Sequence, residues 1–533
     1  MSTKAVRLLT GWLAAFCLLL AGAIGASADE FRTPSISAVR VEWRAVLDQL
    51  HSEINSQPAI ASTFTFSGQR RVPAWDPRAA PALVQLNALT SQVFAGIGRS
   101  SVPVLLPFDT AGYLEARASG AADSPSVSRH QADFRPVDLF YAGPAGYDAQ
   151  FSLEPGAGEG MPQRTFAKPV EVQITGSILT YDLADPRGGK GEPVKALAAQ
   201  FPDLRRFIRE GYVRYAFTKF GVPYVVSIQC LDSTPRARRL ACREAYPVAE
   251  RFLKALRITG GLPSRPRWDI SSDLAERPTA VSPEFTYRPS GDIIASSGSR
   301  KQSGHVDWTA YSQIRFPVEK APALVRSQSF ARRAKSEQPA SGYLWRDNFC
   351  EARSFNVGQC ASGFGHQGED IRPGSCLTQT EGAPPTCDRK QQGVVAVRDG
   401  VVIRSLKQQA ATLQINTAKE HIRFRYMHMN PSSMDADGVV NGRQVAEGEK
   451  IGVVSNYLDR PNGTSLHLHF DVQVFTRDGW IWVNPYVTLI SAYERLNHAR
   501  GREIGVEPQA PAAVAHALPE DVVRHDLHEG GEN

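Results

Sequence analysis

Leu466-His467-Leu468-His469-Phe470-Asp471-Val472-Gln473-Val474 alternates between apolar and polar residues without a break. Successive side chains of a strand point to opposite faces, so His467, His469, Asp471 and Gln473 share one side while the leucines, Phe470 and the valines share the other. The segment reads as a strand with one face to pack and one face presenting two imidazoles, a good platform for approaching a metal ion. Upstream, Gly363-Phe364-Gly365-His366-Gln367-Gly368-Glu369-Asp370-Ile371 separates a histidine and a carboxylate by four positions, among glycines that argue against a helix. On an extended chain that interval returns to the same face. Between the two lies His421-Ile422-Arg423-Phe424-Arg425-Tyr426-Met427-His428, which also alternates and ends in a histidine. Before it, Val394 to Val397, Asp399-Gly400 and Val401 to Ile403 read as a hairpin. The expectation is that the five polar groups sit on separate strands of one β-rich unit. Each piece alone is weak, because a lone strand histidine is more often a satisfied polar residue than a ligand.

Working outward, the N-terminal half changes character twice. Val39, Trp43, Val46, Leu47, Leu50 and Ile54 recur at helical spacing, as do Leu83, Leu86, Leu89, Val93 and Ile97, which predicts two amphipathic helices. Short apolar runs follow at Val102 to Phe108, Asp138 to Tyr141, Val170 to Leu183, and Tyr212 to Cys230 with a break at Gly221-Val222-Pro223. These read as strands with at least one hairpin. A third helix is expected over Ala245 to Ile258, starting near Pro247. Residues 29–260 are therefore a mixed α+β accessory region, one or two small domains of unknown fold. Residues 261–342, interrupted by Pro263, Pro266, Pro278, Pro283 and Pro289, read as a linker with a few strands. Residues 496–533 read as a disordered tail, whose His525 and His528 have no packed scaffold to fix them.

A chain of 533 residues exceeds what one core usually serves, so the expected architecture is multidomain. Residues 1–28 carry Lys4 and Arg7, an uncharged run from Leu8 to Ile24, and Ala26-Ser27-Ala28, the pattern of a secretory signal with its cleavage site. The expected location is across the inner membrane, in the periplasm, with no stable membrane span once the signal is cut. Phe16 before Cys17 is too bulky for a lipid-attachment site. Six cysteines remain after the signal and fall into sequence-local couples, favouring disulfides 230–242, 350–360 and 376–387 in an oxidising compartment. Thiolate zinc sites use pairs two to four residues apart, and none of these couples has that spacing. The net charge of +6 contains no dense basic stripe, so nucleic acid is not an expected partner.

Taken together, the His-x-Gly-x-Asp-like segment at 366–370, the Tyr426-x-His428 strand, Gly448-Glu449-Lys450-Ile451-Gly452, the His467-Leu468-His469-Phe470 strand and Asn484-Pro485 resemble the LytM-type (lysostaphin-like) M23 zinc metallopeptidases. The resemblance covers roughly residues 344–492. It implies an all-β antiparallel domain at 343–495, Zn2+ held by His366, Asp370 and His469, and catalytic roles for His428 and His467. His467 is then the candidate general base, and His428 the stabiliser of the oxyanion. The implied substrate is peptidoglycan, cut at its peptide cross-links. The other reading is a noncatalytic LytM-like module that binds the wall or activates an amidase, although such relatives have usually lost ligands. A regulatory protein partner, or an inhibitory role for residues 29–260, is left open. Two departures stand out. Glu369 falls where the family has an apolar residue and is expected to be a solvated loop carboxylate. Arg372 to Gln392 is longer than usual and holds Cys376 and Cys387.

Overall fold

The computed structural model describes residues 31–55, 81–119, 127–153, 161, 166, 169–183, 191–209, 211–230, 240–263, 285–294, 302–325, 344–373 and 392–505. The expected signal, the 376–387 cysteine couple, and His525 and His528 lie outside them.

The first part of the chain runs β1 (Ile36–Ala38), α1 (Trp43–Asn55), α2 (Pro81–Thr90), β2 (Val104–Pro107), α3 (Thr110–Ala118), β3 (Phe134–Gly143), β4 (Gly146–Leu153), β5 (Glu171–Ser177) and β6 (Leu179–Tyr181). It continues with β7 (Glu192–Pro193), β8 (Arg205–Arg209), β9 (Tyr212–Lys219), β10 (Val222–Gln229), α4 (Ala245–Ala255) and β11 (Leu256–Gly260). Seven strands form one antiparallel sheet in the order β3-β4-β5-β10-β9-β8-β7. Trp43, Val46 and Leu50 of α1, Leu83 and Leu86 of α2, and Val248 and Phe252 of α4 are buried in one core with Tyr147, Val172, Ile174 and Val226 of the sheet. The β9–β10 hairpin turns at Phe220 and Gly221, with φ of 55° and 76°. That pair of positive values is the turn whose twist suits a two-residue hairpin, and a Cβ at Gly221 would meet Arg40 O at 2.5 Å.

Three boundaries differ from the periodicity reading. Residues 36–38 form a strand paired with β6, and the first helix begins only at Trp43. The second helix stops at Thr90, with a short 3-10 turn at Ile97–Arg99. The third stops at Ala255, because Leu256 to Gly260 pair with β2 instead. In each case apolar residues continue past the helix end and are recruited by a strand or turn that buries them equally well.

The second part holds β12 (Thr286–Tyr287), β13 (Ala323–Val325), β14 (Leu344–Trp345), β15 (Glu369–Pro373), β16 (Gly393–Val395), β17 (Gly400–Ile403), β18 (Ala411–Asn416) and β19 (His421–Met427). Then come α5 (Pro431–Ala436), β20 (Gln444–Val445), β21 (Lys450–Val453), β22 (Leu468–Thr476), β23 (Gly479–Val483), α6 (Tyr486–Asn497) and β24 (Arg502–Glu503). The main sheet is antiparallel, in the order β13-β15-β22-β19-β18-β17-β20, with β23 also on β22. One edge of β22 is shared, Leu468–Phe470 pairing with β15 and Val472–Thr476 with β23. Its other edge pairs with β19. Leu468, Phe470, Val472 and Val474 are fully buried, as the alternation requires.

This part is mostly antiparallel β but not all β. The buried helix α6 packs Leu489, Ile490 and Tyr493 into the core, and β14-β12-β24 is a small parallel sheet. The expected hairpin at 394–403 is also absent: β16 pairs with β21, and β17 pairs with β18 and β20. Alternation fixes which face a residue takes, but not which neighbour it pairs with. Residues 285–294 and 302–325 contribute β12, β13 and the buried Phe285, Phe316 and Val318 to the same core as β22.

The two parts meet over a buried polar contact. Asn416 at the end of β18 accepts from Ala145 N at 2.8 Å and donates to Gly146 O at 3.0 Å. Asp148 of β4 takes His421 Nε2 at 2.8 Å and Arg423 Nη2 at 2.9 Å. Trp480 Nε1 donates to Thr175 at 3.1 Å, and Phe475 and Trp480 pack with Phe207, Ala216 and Val225. Disulfides Cys230–Cys242 and Cys350–Cys360 are formed, with Cα separations of 4.9 and 5.4 Å. No helix among the described residues is long and apolar enough to cross a membrane.

Candidate metal centre

Asp370 of β15 and His469 of β22 are direct cross-strand partners, which places a carboxylate beside an imidazole by register alone. His366 comes from the loop before β15, not from a strand. Its backbone is tied on both sides, Cys350 N donating to its carbonyl at 2.9 Å and its own N–H to Glu351 O at 2.8 Å, so the loop closed by Cys350–Cys360 carries it. His428 likewise lies one residue past β19, in the left-handed region at φ 68°. That conformation is costly for a side chain with a Cβ and is held here by its surroundings. His467 lies just before β22, in an isolated bridge to Ser455. The expectation of five groups on separate strands is thus corrected: Asp370 and His469 are on strands, and three histidines are at strand ends or in a loop.

The five residues do come together. His366 Nε2 is 3.0 Å from His469 Nδ1, and Asp370 Oδ1 is 3.4 Å from each of those nitrogens. His467 Nε2 is 3.2 Å from the same oxygen. The rings of His428 and His467 are 4.7 Å apart, and those of His428 and His469 6.1 Å apart. All five are buried, His428 the most open at 8%.

A second layer fixes which nitrogen of each ring faces inward. His366 Nδ1 is 3.0 Å from Asn348 O, so it carries the proton and Nε2 offers its lone pair. His469 Nε2 lies 3.3 Å from Asp471 Oδ2, which leaves Nδ1 for the centre. Asp471 is itself held by Arg425 Nε at 2.7 Å and Trp482 Nε1 at 3.2 Å. Asn348 also accepts from Asp370 N at 3.0 Å. The outer rings follow the same logic: His428 Nδ1 donates to Tyr457 O at 3.0 Å and His467 Nδ1 to Ser465 O at 2.7 Å, making each Nε2 an acceptor.

Electrostatics agree with a site organised around a positive charge. Burial alone would raise the Asp370 carboxyl, but His467 and His366 beside it outweigh burial and hold it well below the carboxylate range. Burial lowers His366. Burial, then His467 and His469, push His428 down to about 3, so it is neutral at ordinary pH. Burial would lower His469, yet Asp370 and Asp471 raise it overall. Neither buried oxygen of Asp370 finds a well-formed hydrogen bond. A tetrahedral ion with bonds of about 2.0–2.1 Å would place its ligand atoms roughly 3.3 Å apart, and two imidazoles with one carboxylate are a zinc-type donor set. The residues His366, Asp370 and His469 fit such an ion, and their ligand atoms lie within 4.8 Å of one another.

Glu369 overturns its expectation. It is fully buried, accepts from Asn348 N and Phe349 N at 3.2 Å, and lies against Asp347. Burial, then the Asp347 charge, raise its carboxyl well above the usual range. The two backbone donors hold it inward. Asn348, Arg425, Tyr457 and Trp482 were not singled out by sequence reasoning. Arg425 had a signal, since it occupies the same face of its strand as His421 and Arg423.

No family model matches the chain, and no curated protein matches it. Among solved structures, a candidate glycyl-glycine endopeptidase LytM from Ruminococcus gnavus is similar at 22% identity, over 26% of this chain and 49% of that one, with a TM-score of 0.17. The chain thus spans about half the length of that protein.

Proposed function

We propose that this chain is an exported zinc metalloendopeptidase that hydrolyses peptide cross-links of peptidoglycan. The observation that supports this most is the convergence of His366 Nε2, Asp370 Oδ1 and His469 Nδ1 at 3.0–3.4 Å, with the opposite nitrogen of each ring already committed elsewhere. Three protein ligands leave a fourth position open, the pattern of catalytic rather than structural zinc. Bound zinc would supply an acidified water at neutral pH and polarise a carbonyl.

The protein's own groups handle protons. His467 is anchored through Nδ1 to Ser465 O, so Nε2 takes a proton from the attacking water as general base. His428 is anchored the same way to Tyr457 O. The donor role first expected for it requires a proton on Nε2, which burial opposes at rest. His428 fills the oxyanion-donor role once the proton that His467 removes from the water is passed to its Nε2, the two rings lying 4.7 Å apart. Substrate and compartment rest on the sequence motifs and the export signal.

The test incubates the full mature chain, zinc-loaded or chelated, with isolated sacculi and identifies the released muropeptides. New peptide ends that vanish with chelator are expected. Their absence with zinc-loaded protein, together with stimulation of an amidase, would sink the enzyme reading in favour of an activator. His469→Ala should lose both metal and activity, whereas His428→Ala should keep metal and lose turnover.

A further inference from the structure

A cavity of about 610 Å3 opens between the irregular segment Gln313 to Phe316 ahead of β13, the β16–β17 and β20–β21 turns, and the end of α6. It shares no residue with the metal centre. Its volume lies within the roughly 300–1,000 Å3 of small-ligand sites. The floor is apolar, formed by the buried Ile314, Phe316 and Ala492. Arg315, Arg398 and Arg495 line the wall, and Asp399 and Glu447 stand at the exposed mouth.

The three guanidiniums are not alike. Arg398 is neutralised by Glu420 at 3.2 Å. Arg495 is instead held by neutral acceptors, Ser491 Oγ and Ile314 O, both at 2.7 Å, with no carboxylate in ion-pair contact among the described residues. Burial lowers its hold on the proton, Glu447 and Glu494 oppose this from a distance, and Arg398 adds to it. Arg315 has no ion pair among the described residues, and its buried Nε has no hydrogen-bond partner. Its guanidinium lies against Gly448, at φ 82°, where a Cβ would come within 2.8 Å of Nη1. Arg315 is half-buried, and a cation whose buried Nε lacks a partner calls for an acceptor that arrives from outside.

We propose that this cavity binds a short peptide or amino acid through its free carboxylate. The carboxylate pairs with Arg315 and Arg495, a small apolar side chain covers Ile314 and Phe316, and the ammonium faces Asp399 and Glu447. The two acidic groups at the mouth select against a multiply charged phosphate and in favour of a zwitterion.

The test is isothermal titration of the full chain, both chelated and zinc-loaded, with alanyl-alanine, its C-terminal amide and inorganic phosphate. Saturable dipeptide binding is expected, equal with and without zinc, and about tenfold or more weaker for the amide and for Arg315→Gln. Equal affinity for dipeptide and amide, undiminished binding to Arg315→Gln, phosphate binding as tightly as the dipeptide, or no saturable heat would each overturn the proposal. The amide comparison uses the unaltered chain, so a folding defect in the variant cannot decide it. Independence from zinc separates this site from the proposed peptidase centre, and either can fail alone.

Discussion

Asp471 carries the largest consequence per atom. It orients His469, neutralises Arg425 and accepts from Trp482, and burial would raise its carboxyl if Arg425 and His469 did not hold it down. Asp471→Asn places an amide donor among groups that already donate. Metal affinity should fall roughly 10–100-fold, measured by competition with a chromophoric chelator. Unchanged affinity would show that His469 is oriented by packing alone. Glu369 gives a prediction of opposite electrical sense. Its folded carboxyl is raised, so its contribution to stability is fully present below the unfolded value of about 4.3 and is lost as pH rises toward the folded one. Glu369→Gln mimics the protonated form. On chelated protein, denaturant titrations at increasing pH should show the variant gaining on the wild type as pH rises above that value. A constant difference would mean that Glu369 is not kept neutral by its site.

Among the elements, β22 decides most. Phe470 is fully buried, stacked on Phe424 at 5.9 Å and edge-on to Tyr426 at 5.4 Å. Phe470→Ala should cost about 3–5 kcal/mol in chemical denaturation, the range for emptying a large aromatic from a core. A loss under 1 kcal/mol would mean that the sheet closes over the gap. The face assignment of this strand was readable from sequence because a period of two leaves no alternative once one side is apolar. His469 and Asp471 follow from it directly. Pairing partners were not readable: Val394 to Val397 and Val401 to Ile403 are equally apolar, and only the whole sheet sends them to β21 and β18. The motif at 366–370 named His366 as a ligand, but not its place in the loop closed by Cys350–Cys360, where no period exists to read. Glu369 was misread because its partners, Asp347 and the 348–349 amides, lie about twenty residues away in sequence.

For the whole molecule, the contact between the two parts is a set of buried charges. Asp148 is pulled up by burial and more strongly down by His421 and Arg423, so its depressed carboxyl contributes stability above the unfolded value of about 3.9 and loses it as pH falls through the folded one. Asp148→Ala removes the carboxylate that, among the described residues, is bonded to Arg423 and should cost about 3–5 kcal/mol, the penalty for a buried charge left without its partner. Differential scanning calorimetry of the variant should show it, and an unaltered thermogram would mean that water replaces the carboxylate. The contact reaches the start of β19, whereas His428 follows its other end. The first part of the chain, bound there, braces the sheet that carries the candidate metal centre. A truncated chain covering residues 340–495 would bare His421, Arg423, Phe475 and Trp480 and lose β12 and β13. For protein engineering, the strand that links Asp148 to His428 makes the half that carries the candidate metal centre a poor cassette. Grafted onto another carrier, it would need a substitute for β4 as well as a linker, so a unit worth transplanting carries β4 together with β12 and β13.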